Sequence, residues 1–282
     1  MKKILLAGLF IPLFAHAQWH VNVFGGFSNY FGDLQSQPYT TQQSHVALGA
    51  GLQYDLSGHL SLLTNFVHGH VGAWDGYNTQ PDLKARNLSF GTDINELNFL
   101  IEYNLLDLRD HKVTPYVFAG AAVFHFNPYA YDTLGNKVFL RPLSTEGEGL
   151  PQYPGDKEYS LTQLAIPFGG GIKFRVSDNV VIAYETGFRK LFTDYLDDVS
   201  NRYVNEATLL ADKGPLAVEM AYRGNQLKGG AAYPPDHTVR GDPKRKDWYY
   251  VSGLRVTIAL NSMGMSAHRR HNGVLDCPKK VY

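Results

Sequence analysis

The chain has 282 residues, with 26 Lys and Arg against 26 Asp and Glu, 44% hydrophobic and 13% aromatic residues, 28 Gly and one Cys. Few charges with many aromatics exclude a disordered chain, and the lack of a basic excess excludes nucleic acid as the expected partner. Beyond the first seventeen residues no apolar run approaches the ~20 residues that a membrane helix needs, so a crossing of the bilayer would have to use strands.

Met1-Lys2-Lys3 is cationic, Ile4 to Phe14 is apolar, and Ala15-His16-Ala17 is a small-residue site ahead of Gln18. That order predicts a cleaved secretory signal over residues 1–17. No Cys follows the apolar stretch, so lipoprotein processing is not indicated. Without Lys2 and Lys3 the net charge is −2. An exported chain whose lone thiol is Cys277 has no internal disulfide, so burial and backbone pairing must hold the fold.

Eight segments then follow in which apolar residues alternate with small or polar ones, the period of a two-faced strand. They run from Trp19 to Gly32, His45 to Asp55, Leu60 to Gly72, Asp93 to Leu106, Val113 to Phe126, Leu161 to Arg175, Val180 to Tyr195 and Asp247 to Leu260. In the second, Val46, Leu48, Ala50, Leu52 and Tyr54 share a face. In the fourth, Leu97, Phe99, Ile101, Tyr103 and Leu105 oppose Glu96, Asn98, Leu100, Glu102 and Asn104. The third alternates too poorly to assign faces.

Connections alternate long and short. Asp55 to Leu60, Asp107 to Lys112 and Val176 to Asn179 are short and carry turn residues, whereas Asp33 to Ser44, Ala73 to Thr92, Asn127 to Ser160 and Leu196 to Lys246 are long. Short periplasmic turns, long outer loops and an even strand number are the pattern of an outer-membrane barrel. A soluble barrel or sandwich would also alternate. Against it stand outward faces as apolar as a core, strand ends carrying Trp19, Tyr30, Tyr54, Tyr103, Tyr195, Trp248 and Tyr250, and charges on the candidate inner face. The expectation is therefore an all-β, eight-stranded antiparallel transmembrane barrel over residues 18–260, in contact with outer-membrane lipid, with a periplasmic tail over 261–282.

Eight strands enclose little beyond their own side chains. Alternation sends Glu96, Glu102, Lys173, Arg175, Glu185, Arg189 and Arg255 inward, a mixture of signs suited to mutual pairing rather than to a pore.

Chemistry outside the wall is sparse. His68 and His70 share a strand face and could share a metal, but no third ligand accompanies them. Asp194, Asp197 and Asp198 are close enough in sequence to hold a hard cation, yet they lack the spacing and central Gly of a calcium loop, which favours solvated acids or a loop-ordering salt bridge. No G-x-S-x-G, H-E-x-x-H or phosphate-cradling motif follows residue 17, and no cofactor is expected. The tail is basic through His268-Arg269-Arg270-His271 and ends near Asp276-Cys277-Pro278-Lys279-Lys280. It reads either as a frayed terminus or as a docking peg whose thiol meets a partner.

Four stretches, FGGFSNYFGDL (24–34), LGNKVFLRPLSTEGEGL (134–150), YSLTQLAIPFG (159–169) and RKLFTDYLDDVS (189–200), resemble the PorG-like outer-membrane proteins of Bacteroidota. Cys277-Pro278 is similar to that family's ending. The resemblance covers most of the mature chain, and its loop motifs single out Arg141, Pro142, Glu146, Asp194, Asp197 and Asp198. The loop from Leu196 to Lys246, with Gly229, Gly230, Pro234, Pro235 and Lys244-Arg245-Lys246, departs from the pattern. The resemblance implies a component of type IX secretion that tethers a periplasmic ring, built by a lipoprotein and its partner, in a system supporting protein export and gliding motility. The leading expectation is thus a non-enzymatic membrane anchor whose tail (Arg269, Arg270, Cys277, Pro278) meets the periplasmic complex. The alternatives are a surface adhesin or receptor using the long outer loops, or a barrel enzyme acting on lipid or peptide.

Overall fold

The computed structural model describes residues 18–260 apart from 36, 38 and 39. The signal segment and the tail with Arg269, Arg270, Cys277 and Pro278 lie outside the described residues.

In chain order the strands are β1 (Gln18–Phe31), β2 (His45–Asp55), β3 (Leu60–Trp74), β4 (Ser89–Asn104), β5 (Val113–His125), β6 (Tyr129–Tyr131), β7 (Lys137–Phe139), β8 (Thr162–Ser177), β9 (Val180–Leu191) and β10 (Trp248–Ala259). Eight of them, all but β6 and β7, pair antiparallel around a ring in the order β3-β2-β1-β10-β9-β8-β5-β4, and a β3–β4 ladder closes it. Closure removes the sheet edge, which a strand in lipid could not leave unpaired. The short β6–β7 hairpin extends β4 beyond the rim through Gly91 and Tyr129. Short helices occupy the long connections: α1 (Pro81–Arg86), α2 (Glu206–Lys213) and α3 (Pro215–Ala221). No described helix is long and apolar enough to cross a membrane.

Alternation fixes which side of the wall each residue takes. On β4, Leu97, Phe99 and Ile101 are 46–58% exposed on the outside, while Glu96, Asn98 and Glu102 are at most 1% exposed inside. Val46, Leu48 and Leu52 on β2 and Leu254 on β10 face outward in the same way. An apolar exterior around a charged interior inverts a soluble fold, and the architecture is that of a transmembrane barrel. The third strand has faces after all. Ser61, Leu63 and Val67 point inward and Leu62 and Phe66 outward. Its alternation is blurred because Leu63 joins Leu100, Tyr116, Phe118 and Ala183 in an apolar cluster inside the lumen. Space for these rings comes from glycine: a Cβ on Gly187 would sit 2.9 Å from Phe118.

Three sequence expectations need correction. β4 begins at Ser89 rather than Asp93, because its first residues pair with Val71–Trp74 beyond the lipid belt, where no apolar alternation is required. β9 ends at Leu191, and Phe192 to Tyr195 turn away from the wall. Of the proposed girdle, Trp19 and Tyr103 are each 49% exposed and Trp19 packs against Tyr54 at 4.8 Å, but Tyr30 is fully buried in the lumen and Tyr195 lies in the loops.

Phe99 lies midway between Tyr103 at one edge of the apolar belt and Asn95 at the other. Phe99→Arg should cost about 2–4 kcal/mol of unfolding free energy in phospholipid bilayers. Leu134→Arg, on an exposed loop tip, should change it by less than about 0.5 kcal/mol. Denaturant titration of the refolded barrel in vesicles distinguishes the two.

Candidate functional site

Two polar networks fill the molecule, one inside the wall and one in the long loops that close one end. In the lumen Glu96 is gripped in bidentate fashion by Arg189, with Nε 2.9 Å from Oε2 and Nη2 3.0 Å from Oε1, and also accepts from Tyr249 and from Asn98 at 2.6 Å. Glu102 accepts from both Lys173 and Arg255. Lys173 also donates to Asn104 Oδ1 at 2.8 Å. Glu185 stands 3.1 Å from Arg255 Nε and accepts from the Tyr116 hydroxyl at 2.5 Å. The six predicted charges Glu96, Glu102, Lys173, Glu185, Arg189 and Arg255 are thus brought together as three acids against three bases. Arg175 is not among them. It keeps the parity of Lys173 but sits at the short-turn rim, beyond the lumen, and donates to the Arg109 carbonyl at 3.2 Å. A cavity of about 20 Å³ beside Asn22, Asn65 and Asn98 is the size of one water, so this level of the lumen is plugged.

Above these pairs, Phe124 and Phe126 stack at 5.5 Å, Phe126 and Tyr159 at 6.2 Å, and Tyr159 and Tyr195 at 4.7 Å, a column leading from wall to loops. There the motif residues from distant stretches meet. Asp198 accepts from Tyr159 and Thr145, both at 2.6 Å, and Glu146 accepts the backbone amides of Ser200 at 3.0 Å and Asn201 at 2.8 Å. Asp194 accepts from Ser200 Oγ at 2.9 Å. Asp197 and Asp247 flank the Tyr30 hydroxyl at 2.5 and 3.0 Å. Glu146, Asp194, Asp197 and Asp198 are all at most 2% exposed, so they are not solvated acids. Pro142 is exposed at the start of a tight turn, and Arg141 bonds the Tyr159 carbonyl at 2.7 Å and Glu158 at 3.0 Å.

Two arginines that sequence reasoning missed organise this cap. Arg86 forms a bidentate pair with Asp75, both contacts at 2.8 Å, and donates to the carbonyls of Arg240 and Asp33 at 2.5 and 3.0 Å. Arg240 donates to Glu146 Oε1 at 3.0 Å and to the carbonyls of Asp198 and Ala221 at 2.6 and 3.1 Å. Neither lies in a periodic segment, and Arg86 and Arg240 are 154 positions apart, so no local signal marked them.

Buried carboxyls outnumber these cations, and burial is the first cause of their shifts. It holds Glu148, Asp197 and Asp247 well above the usual carboxylate range, reinforced by neighbouring acids, and it pushes Asp194 up to about 7. Counting hydrogens agrees: Tyr30 has one hydroxyl proton for two facing carboxylates, so one of the pair must carry its own. His68 and His70 bond Asn95 and Asp93 at 2.9 and 2.8 Å on the outside of the wall. Among the described residues no group of three or more His, Cys, Asp or Glu is placed to hold a metal.

Residues 2–138 match the model of a family described as a domain of unknown function, DUF6089, just under half of the chain. No curated protein matches. Among solved structures the chain is similar to Neisserial surface protein A (10% identity, TM-score 0.43), the attachment invasion locus protein Ail of Yersinia pestis (9%, 0.39) and the outer membrane protein OprG of Pseudomonas aeruginosa (9%, 0.40). Each likeness covers 86% of this chain and 97% of the other.

Removing Glu102 leaves Lys173 and Arg255 buried together, so Glu102→Ala should cost about 3–5 kcal/mol, measured by denaturant unfolding in vesicles. The cap should respond to pH with a definite sign. Its raised carboxyls bind protons in the folded state that the unfolded loops release near pH 4, so its stability falls as pH rises from about 4 to about 7. Amide protection factors at residues 194–201, exchange rates divided into the intrinsic rate at each pH, should be lower at pH 8 than at pH 5, and Asp194→Asn should reduce the difference.

Proposed function

We propose that the protein is a non-enzymatic outer-membrane barrel that anchors a protein assembly rather than passing solute. The observation that carries this reading is the lumen closed by six mutually paired charges beneath a buried polar cap. Such a barrel offers a fixed position in the membrane and two surfaces, and no path between them. Placement in the outer membrane is supported by the lipid-facing apolar wall and by the expectation of a secretory signal over residues 1–17. By its resemblance to the PorG-like proteins, the assembly is the periplasmic ring of type IX secretion, a lipoprotein and its partner, held by the basic tail with Arg269, Arg270, Cys277 and Pro278.

A second reading, a surface receptor or adhesin, is favoured by apolar side chains on the loops at the capped end. Leu134 is 85%, Val239 65% and Tyr131 53% exposed there. One experiment separates the two. Deleting residues 268–282 should leave a heat-modifiable barrel in outer-membrane fractions but release the periplasmic ring proteins from co-purification. In the full chain, a Cys277-dependent band on non-reducing gels should contain one of them. Retention of the ring by the truncated chain would move the function to the loops.

A further inference from the structure

On the outside of the wall, at the capped end, a cavity of about 260 Å³ lies between the ends of β2, β3 and β4 and the β6–β7 hairpin. His70, Gly72 and Trp74 have the outward parity of Leu62 and Phe66, and Ser89 and Gly91 that of Leu97 and Phe99, while His45, Ala73 and Phe90 have the inward parity, so the cavity sits at the end of the wall and opens beside the lipid-facing surface. It starts one step above the apolar belt, where the bonded pairs His68–Asn95 and His70–Asp93 replace hydrocarbon side chains with polar ones. That is the level of the headgroups.

We propose that this cavity binds the sugar headgroup of an outer-leaflet glycolipid. Its walls combine ring faces, Trp74, Tyr77 and Tyr129, with hydrogen-bonding edges, Gln42, His45 and His70. Aromatic faces take the C–H face of a pyranose while donors and acceptors meet its hydroxyls, a mixture that suits a sugar better than a hydrocarbon chain. The floor is made by glycine. A Cβ on Gly91 would stand 3.0 Å from the Tyr129 ring and 3.1 Å from His70 Nε2, and one on Gly72 would stand 3.6 Å from His45 Nε2. Asp93 holds His70 through Nδ1, which leaves Nε2 on the floor side. At the lip the Lys137 ammonium lies 3.6 Å over the Tyr129 ring, where a phosphorylated sugar would meet a cation.

An added peptide strand fits less well. β3 runs past the last residue that β2 pairs, but side chains already take the groups on that edge: Gln43 accepts from the Trp74 amide at 2.7 Å and Ser28 donates to the His70 carbonyl at 2.5 Å. The occupant is then set by continuity with the lipid-facing wall, and this assignment rests on the outer-membrane placement proposed above.

The test uses the mature full chain in phosphatidylethanolamine nanodiscs, titrated with purified lipopolysaccharide and followed by native mass spectrometry. Saturable binding is expected, with competition by the fully deacylated lipopolysaccharide headgroup. The Trp74→Ala, Tyr129→Ala double variant should bind about tenfold more weakly. Gly91→Val, which fills the floor, should do the same, while Leu134→Ala on the hairpin tip should bind as wild type. Heat-modifiable migration of each variant certifies a folded barrel; Trp74 is 42% exposed and Tyr129 is half-buried at the rim, outside the lumen packing. Equal binding by wild type and double variant, or no competition from the deacylated headgroup, would overturn the proposal. Protease accessibility of residues 127–160 on intact cells tests the outer-membrane placement separately.

Discussion

A barrel that turns its apolar residues to lipid must find partners inside for the charges it turns inward, because a lumen with room for about one water cannot solvate them. The six interior charges answer that constraint locally. Glu96 is saturated by Arg189, Tyr249 and Asn98, and Glu102 by Lys173 and Arg255. The desolvation of such pairs is costly, and hydrophobic replacements are often as stable. In an eight-stranded wall, however, these long side chains also supply the bulk that fills the axis, with Tyr116 under the cationic ends of Lys173 and Arg255 at 4.7 and 5.3 Å. Pairing and packing are the same feature here, and both close the lumen.

The cap meets a related constraint differently. Its acids exceed its bases, so ion pairing alone cannot neutralise them. Arg86 pairs with Asp75 and Arg240 with Glu146, and each also holds two carbonyls. The remaining carboxyls accept backbone amides, as Asp197 does from Val199 and Asp247 from Leu196, both at 2.9 Å, or share protons as around Tyr30. Protonated acids are good structural groups in this setting because each both donates and accepts. The cap is consequently most secure at low pH, where these carboxyls keep their protons, and loosens as pH rises toward about 7.

The wall was legible in the sequence because its physics is local: lipid outside and a narrow lumen inside impose a two-residue period, and Leu97 to Leu105 against Glu96 to Asn104 displays it plainly. It failed where that pressure lapses, at the Ser89 end of β4 above the belt, and at β3, where Leu63 has an apolar neighbour inside. The inward placement of Tyr30 could not be read from its aromatic type, since a ring at a strand end suits a girdle equally well; its hydroxyl between Asp197 and Asp247 decides the matter. The acidic run at 194–198 was visible but its burial was not, because burial depends on Tyr159, Thr145 and Arg240 from other loops. Arg86 and Arg240 left no trace at all, as their partners are carbonyls, which every residue possesses.

Those carbonyl bonds also explain why long loops here form one body. A connection as long as that from Phe192 to Asp247 would ordinarily be mobile, since closing a longer loop adds little entropic cost and little restraint. Arg86 and Arg240 between them hold the backbone at Asp33, Asp198, Ala221 and residue 240 itself, tying four points in two of the long connections to two planar groups. The Leu150, Val204, Leu209 and Ala217 cluster then packs α2 and α3 onto the STEGEG turn. Ordering has thus been completed in the free protein, and a ligand or partner that meets this end need not supply it. Preorganisation of this kind lets modest contacts, such as a few rings at the rim, give useful affinity.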